Sequence, residues 1–243
     1  MKLAKILLLL IVCTLYVVNG QTNSTSKACK TVVLDTCLMN LLLIGDPKYV
    51  FPVSMPQMDT QCRTIRGYEK CIKDYSSKCL KAFPKQVTSV LAYGVAKTNK
   101  GYCSNKKRKE SFIMIGECAN KMKSPMDKCM FQYIDRLQGA ENYRNVKMRL
   151  PMACCEYYKM KQCILGHIER EGKPLCTDSV YNEAERLIDG YAFDVLQLIC
   201  GDYTEDSDKC QNSVPKTPKK LSSQKRTKSL LLPLINILAA DEQ

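Results

Sequence analysis

The chain has 243 residues, 15 cysteines, no tryptophan, one histidine and a formal charge of +13. A single histidine excludes any site that needs two of them within one chain, and the basic balance points to anionic partners. Nucleic acid is not among these, because no basic-aromatic groove pattern or binding motif accompanies the charge.

The opening MKLAKILLLLIVCTLYVVNG sets Lys2 and Lys5 before an uncharged apolar run from Ile6 to Val18. This is the pattern of a secretory signal peptide over residues 1–20, with cleavage before Gln21. The run is shorter than the roughly 20 apolar residues a span needs, so no transmembrane segment is expected. The chain should therefore be secreted and extracellular. Cys13 leaves with the signal peptide, and 14 cysteines remain. An even number in an oxidising compartment implies seven disulfides and no free thiol. Asn23-Ser24-Thr25 is the only N-x-[ST] sequon, and glycosylation is expected at Asn23.

Apolar residues then recur mostly with helical period. Helices are expected over about Thr31 to Ile44, ending before Gly45, and along the stripe Cys62, Ile65, Tyr68, Ile72, Tyr75, Cys79. Pro84 limits the second, since proline disfavours helical geometry at the residue before it. "TVVL" (Thr31 to Leu34) is the only stretch that could be a strand, and "NKKRKE" (Asn105 to Glu110) reads as an exposed basic connection. Further helices are expected over about Glu110 to Met122 and Met126 to Leu137. The last stripe is Val180, Ala184, Leu187, Ile188, Tyr191, Val195, Leu198. Asp178 or Ser179 would cap its start, and Gly201 would end it in a left-handed conformation. The fold class is all-α: helical hairpins cross-linked by cystines.

The cysteine spacings repeat. Cys29, Cys37, Cys62, Cys71, Cys79 and Cys103 are separated by 7, 24, 8, 7 and 23 residues. Cys118, Cys129, Cys154, Cys163, Cys176 and Cys200 are separated by 10, 24, 8, 12 and 23. Three gaps agree, which predicts two tandem six-cysteine units over residues 21–113 and 114–210. Cys155 and Cys210 are left over, so the simplest framework bridges Cys155 to Cys210. Six cysteines allow 15 pairings, and the other bridges stay open. After Cys210, residues 211–229 hold two prolines, many basic residues and almost nothing to bury, which predicts a disordered linker. Residues 230–243 carry an apolar run that is too short to span a bilayer and is expected to dock on the body or on a partner.

Catalytic chemistry is thinly supplied. A Ser-His-Asp or Cys-His arrangement would have to use His167, the only histidine, but there is no G-x-S-x-G and the cysteines are committed to bridges. Asp202, Glu205, Asp206 and Asp208 lack Ca²⁺-loop spacing and read as a solvated acidic loop pinned by Cys200 and Cys210. Cys154, Cys155 and Cys163 lack the C-x₂₋₄-C spacing of structural zinc sites, and an oxidising compartment favours cystine. No metal or cofactor is therefore expected.

YAFDVLQLICGDYTEDSDKC (Tyr191 to Cys210) and the closing KSLLLPLINIL resemble segments of cysteine-rich secreted proteins of arthropods, especially arachnids. Size and pattern are similar to the 27 kDa haemolymph glycoproteins. The resemblance covers about Cys154 to Cys210 and the tail, while the first half is matched only by its cysteine spacing. It implies an extracellular fluid, a helical disulfide-rich body and no known catalysis. The expected function is a non-enzymatic secreted glycoprotein that binds a small apolar molecule, lipid or protein between its helices. The alternative is a venom, salivary or matrix component whose basic surface meets anionic glycans or other anionic targets.

Overall fold

A computed structural model describes residues 29–205 and 207–240, with the backbone alone at residues 193–195 and 198. The expected signal peptide, the expected glycosylation site Asn23 and Asp206 lie outside the described residues. The chain divides into two compact units, residues 1–30 and Thr31–Gln243. The second unit is built of α-helices, with no strand among its described residues. The all-α reading therefore stands, and TVVL opens the first helix.

In chain order the helices are α1 (Thr31–Leu41), α2 (Met55–Cys79), α3 (Ala82–Tyr102), α4 (Lys106–Lys121) and α5 (Lys123–Glu141). After a 3-10 turn at Val146–Met148 come α6 (Arg149–Glu171), α7 (Asp178–Ile199), the single turn α8 (Lys209–Asn212) and α9 (Leu231–Ala240). Their starts follow local chemistry. Asn105 accepts a hydrogen bond from the Arg108 N–H at 3.0 Å, so NKKRKE opens α4 rather than forming a connection. The cap relieves one of the exposed N–H groups that a run of lysines at a helix start cannot satisfy. Thr177 accepts from the Val180 N–H and caps α7 in place of Asp178 or Ser179. Gly201 follows α7 with φ +50°. Pro84 stands in the first turn of α3, where its missing N–H costs nothing.

α1 packs on α2, α2 on α3, and α5 on α6, while α3 lies along α7. Disulfides cross-link these pairs and tie further elements to them. Cys37–Cys71 joins α1 to α2, and Cys62–Cys103 ties α2 to the end of α3. Cys129–Cys163 joins α5 to α6, and Cys118–Cys176 links α4 to the segment before α7. Cys154–Cys200 and Cys155–Cys210 leave adjacent positions of α6 for the two ends of the acidic loop. Cys29 and Cys79 are disulfide-bonded as well. Between the two cysteine sets runs one continuous apolar core, from Leu34 and Leu38 through Phe112 and Leu137 to Ile237.

Residues 213–229 differ from the disordered linker that their composition predicts. They form an irregular strap along α5. Lys220 donates its N–H to the Asp135 carbonyl at 2.8 Å. Gln138 Nε2 donates to the Lys225 carbonyl at 3.1 Å, and Arg226 makes two bonds to the Asp135 carboxylate at 2.7 and 2.6 Å. Polar side chains of α5 thus satisfy the strap's backbone in place of an apolar face of its own. The buried Asp35 of α1 then accepts from the N–H groups of Lys228 and Ser229 at 2.7 and 2.8 Å. These anchors deliver α9 onto the body, against α3, α5 and α1.

Candidate functional site

The helices line an apolar cavity of about 90 Å³. Its walls come from five of them. Leu91 and Val95 stand on α3, Met130 and Tyr133 on α5, Tyr157, Met160 and Ile164 on α6, and Ile188 and Tyr191 on α7. Leu231 and Leu234 of α9 close it. On α6 the positions follow from period: Cys154, Tyr157, Lys161, Ile164 and Ile168 share one face with steps of three and four. A chamber that holds a benzene-sized guest in other proteins is about 150 Å³ and stays dry when lined this way. Two methionines in the wall can shift their rotamers to admit a guest somewhat larger than the resting space.

A second, outer hollow of about 480 Å³ is lined by Tyr158, Asp189, Gln197 and Thr204. Tyr157 and Leu196 line both spaces, so these two side chains separate the inner cavity from the outer one. The loop after α7 contributes Gly201 and Thr204, and the bridges at Cys154 and Cys155 hold both its ends, with Cα separations of 5.7 and 5.5 Å.

The electrostatics change across that partition. Inside, Tyr133 spends its hydroxyl on the Ala153 carbonyl at 3.3 Å, and Tyr191 donates to Asn99 Oδ1 at 2.7 Å. The Tyr157 hydroxyl is buried and has no partner. Burial raises its pKa, and the negative charges of Asp189 and Glu205 add to the effect. It is a neutral phenol at physiological pH. Asp189, which lines the outer hollow, meets the buried Lys161 at 2.9 Å, and Lys161 also reaches Glu185 at 3.3 Å and Glu205 at 3.7 Å. One ammonium thus faces three carboxylates, in a chain whose overall charge is strongly positive.

Sequence reasoning singled out the cysteines of CCEYYKMKQC and missed the tyrosine three positions after Cys154, although the helical period puts it on the same inward face. The structure places the other candidates away from the cavity. His167 Nδ1 lies 2.7 Å from Glu171 Oε1 on the half-exposed side of α6. His167 also lies near Cys129 and Cys163, but those sulfurs are bonded to each other and offer no thiolate. In the acidic loop Asp202 pairs with Lys209, and the Lys209 hydrogen bond holds the Asp202 carboxyl below its ordinary pKa. Asp208 accepts from Asn212 at 3.1 Å. The loop therefore reads as tied carboxylates. No family model, curated protein or solved structure matches the chain.

Proposed function

We propose that this is a secreted, non-enzymatic glycoprotein that binds a small apolar molecule in the cavity between its helices. The observation that carries the reading is a chamber walled by five helices and lined by leucine, isoleucine, methionine and tyrosine. Such concave, mostly apolar spaces with few polar groups are where proteins hold small molecules. No helix of the described residues is long and apolar enough to cross a membrane, and the disulfides suit an extracellular fluid. The resemblance to arthropod haemolymph glycoproteins supports the same setting. The reading of residues 21–113 and 114–210 as tandem units is supported by the bridges: in the alignment of spacings Cys37–Cys71 falls on Cys129–Cys163, and Cys62–Cys103 on Cys154–Cys200.

Benzene binding to the purified full chain, followed by calorimetry, tests the proposal. Solvent extraction and mass spectrometry of protein from its natural fluid should release an apolar small molecule. Ala192→Leu, which adds bulk at the cavity wall, should weaken benzene binding at least about tenfold, because a filled cavity offers no transfer gain of roughly 25 cal/mol per Å². An empty extract together with no benzene binding by the wild type would sink it.

A second reading rests on a groove between α2, the end of α3 and the start of α4. Arg63, Arg66, Lys100 and Lys109 line it beside Asp59 and Glu69, with Lys109 paired to Asp59 at 2.6 Å. Its basic excess fits an anionic glycan. Retention on heparin at physiological salt that falls on replacing Arg63 and Arg66 by glutamine supports this use.

A further inference from the structure

The polar groups at the partition between the two hollows point to the kind of guest the inner one accepts. This step rests on the apolar-cavity reading and narrows it.

Three observations converge on the partition. The first is Tyr157, which is 6% exposed and whose hydroxyl has no hydrogen-bond partner. Leaving such a group unmade costs about 1–3 kcal/mol, and a phenylalanine of nearly the same shape would avoid that cost. The second is the position of Tyr157, which lines both the apolar chamber and the outer hollow. The third is charge. Asp189 lines the outer hollow, and Glu185 and Glu205 gather with it around Lys161. Their negative charge exceeds the single ammonium against a body that is positive overall.

We infer that the guest is a small apolar amine. Its alkyl chain or single ring fills the inner chamber, and its ammonium sits at the partition, donating to the Tyr157 oxygen and to Asp189. A phenol oxygen can accept as well as donate. The Asp189 carboxylate, although bonded to Lys161 through both oxygens, has about four acceptor positions and so keeps capacity for a second donor. A guest ending in a carboxylate would meet the three acidic groups and be repelled. An alcohol would satisfy Tyr157 without gaining from the field. The cavity thus measures apolar bulk, and the partition selects the sign of the head group.

Calorimetric titration of the full chain with benzene, hexylamine, 1-hexanol and hexanoate tests this. The expected order is hexylamine tightest, hexanol about tenfold weaker and hexanoate without detectable binding. Tyr157→Phe should weaken hexylamine and hexanol about three- to tenfold relative to benzene. Asp189→Asn, at a side chain 44% exposed and with Glu185 and Glu205 left to face Lys161, should shrink the amine-over-alcohol preference toward unity and reduce its salt dependence. Benzene binding with hexanoate equal to hexylamine, or a preference untouched by Asp189→Asn, overturns the amine assignment and leaves the apolar cavity standing. Failure of benzene and all three hexyl compounds overturns the cavity reading itself.

Discussion

At the scale of single residues, close approach decides more than polarity. Gly139 on α5 meets the strap so tightly that an added Cβ would lie 2.1 Å from the Pro218 carbonyl oxygen. No flexible side chain can yield there, since the obstacle is backbone. Gly139→Ala should therefore lift the strap, breaking the bond from Lys220 N–H to the Asp135 carbonyl. It should lower stability by about 1–3 kcal/mol, as overpacking does; urea unfolding of the two proteins measures it, and a change within about 0.3 kcal/mol would refute the tight contact. Gly45 is constrained differently, by a φ of +99° and by Met130 beside it, and its N–H donates to the buried Asp127 at 2.8 Å. The helix expected to run to Ile44 stops earlier, at Leu41, so Gly45 punctuates the loop after α1 rather than the helix itself. Gly139 was equally visible as punctuation after an expected helix, yet α5 runs through it to Glu141, because the glycine serves a chain crossing rather than a stop. Tyr157 was hidden for a related reason: its period says inward, but only packing shows that nothing receives its hydroxyl.

At the scale of elements, amphipathic stripes exposed most helices, and their errors lie where polar groups do the fixing. The stripe from Cys62 to Cys79 is the inner part of α2, which begins earlier, at Met55. The helix α3 had no equally clear stripe and was overlooked behind Pro84. Composition predicts disorder for the strap because it registers what a segment can bury, and this segment is held by Asp135, Gln138 and Asp35, which no local pattern connects to it. Its anchors also give α9 a pH response. Burial raises Asp35 above its ordinary 3.8, although the Lys228 and Ser229 N–H groups pull it back in part. Burial likewise raises Glu141 above 4.5, against the hydrogen bond from Asn236. In that window the folded state holds more protons than the unfolded one, so these groups contribute stability at the acid side that is lost as pH rises through their raised values. The wild type compared with Asp35→Asn/Glu141→Gln in urea at pH 3.5 and 6.5 checks the sign. The stability difference, wild type minus variant, should shrink from the lower pH to the higher, and a difference that grows would contradict it.

At the scale of the molecule, the two adjacent cysteines of α6 set how the loop over the outer hollow is held. Cys154–Cys200 already joins α6 to the end of α7, so Cys155–Cys210 closes only the short segment from Cys200 to Cys210. On the chain-entropy account a loop of that size is worth about 3 kcal/mol, less than a bridge between independent segments. Cys155→Ser/Cys210→Ser should lose that amount in thermal or urea unfolding and speed hexylamine dissociation, since the loop would be tied at one end. An unchanged dissociation rate would separate the loop from the binding path. The pairing itself came from counting leftovers in the spacing pattern, whereas the remaining bridges could not be chosen among their alternatives until the helices were arranged. Composition and spacing carry no information on which helix faces which.

The return of the strap to α1 has a consequence for how the protein is made. Asp35 waits for partners 193 and 194 positions later, and the final wall of the chamber is α9. Until a nascent chain has released those last residues, the leucines and isoleucines of α3, α5 and α6 face water across an open side. Closing a contact across so long a stretch of chain costs loop entropy that local helix pairings do not pay. The interval between the first helix and the last is thus a time when the unfinished interior is exposed to chaperones and to misplaced cystines.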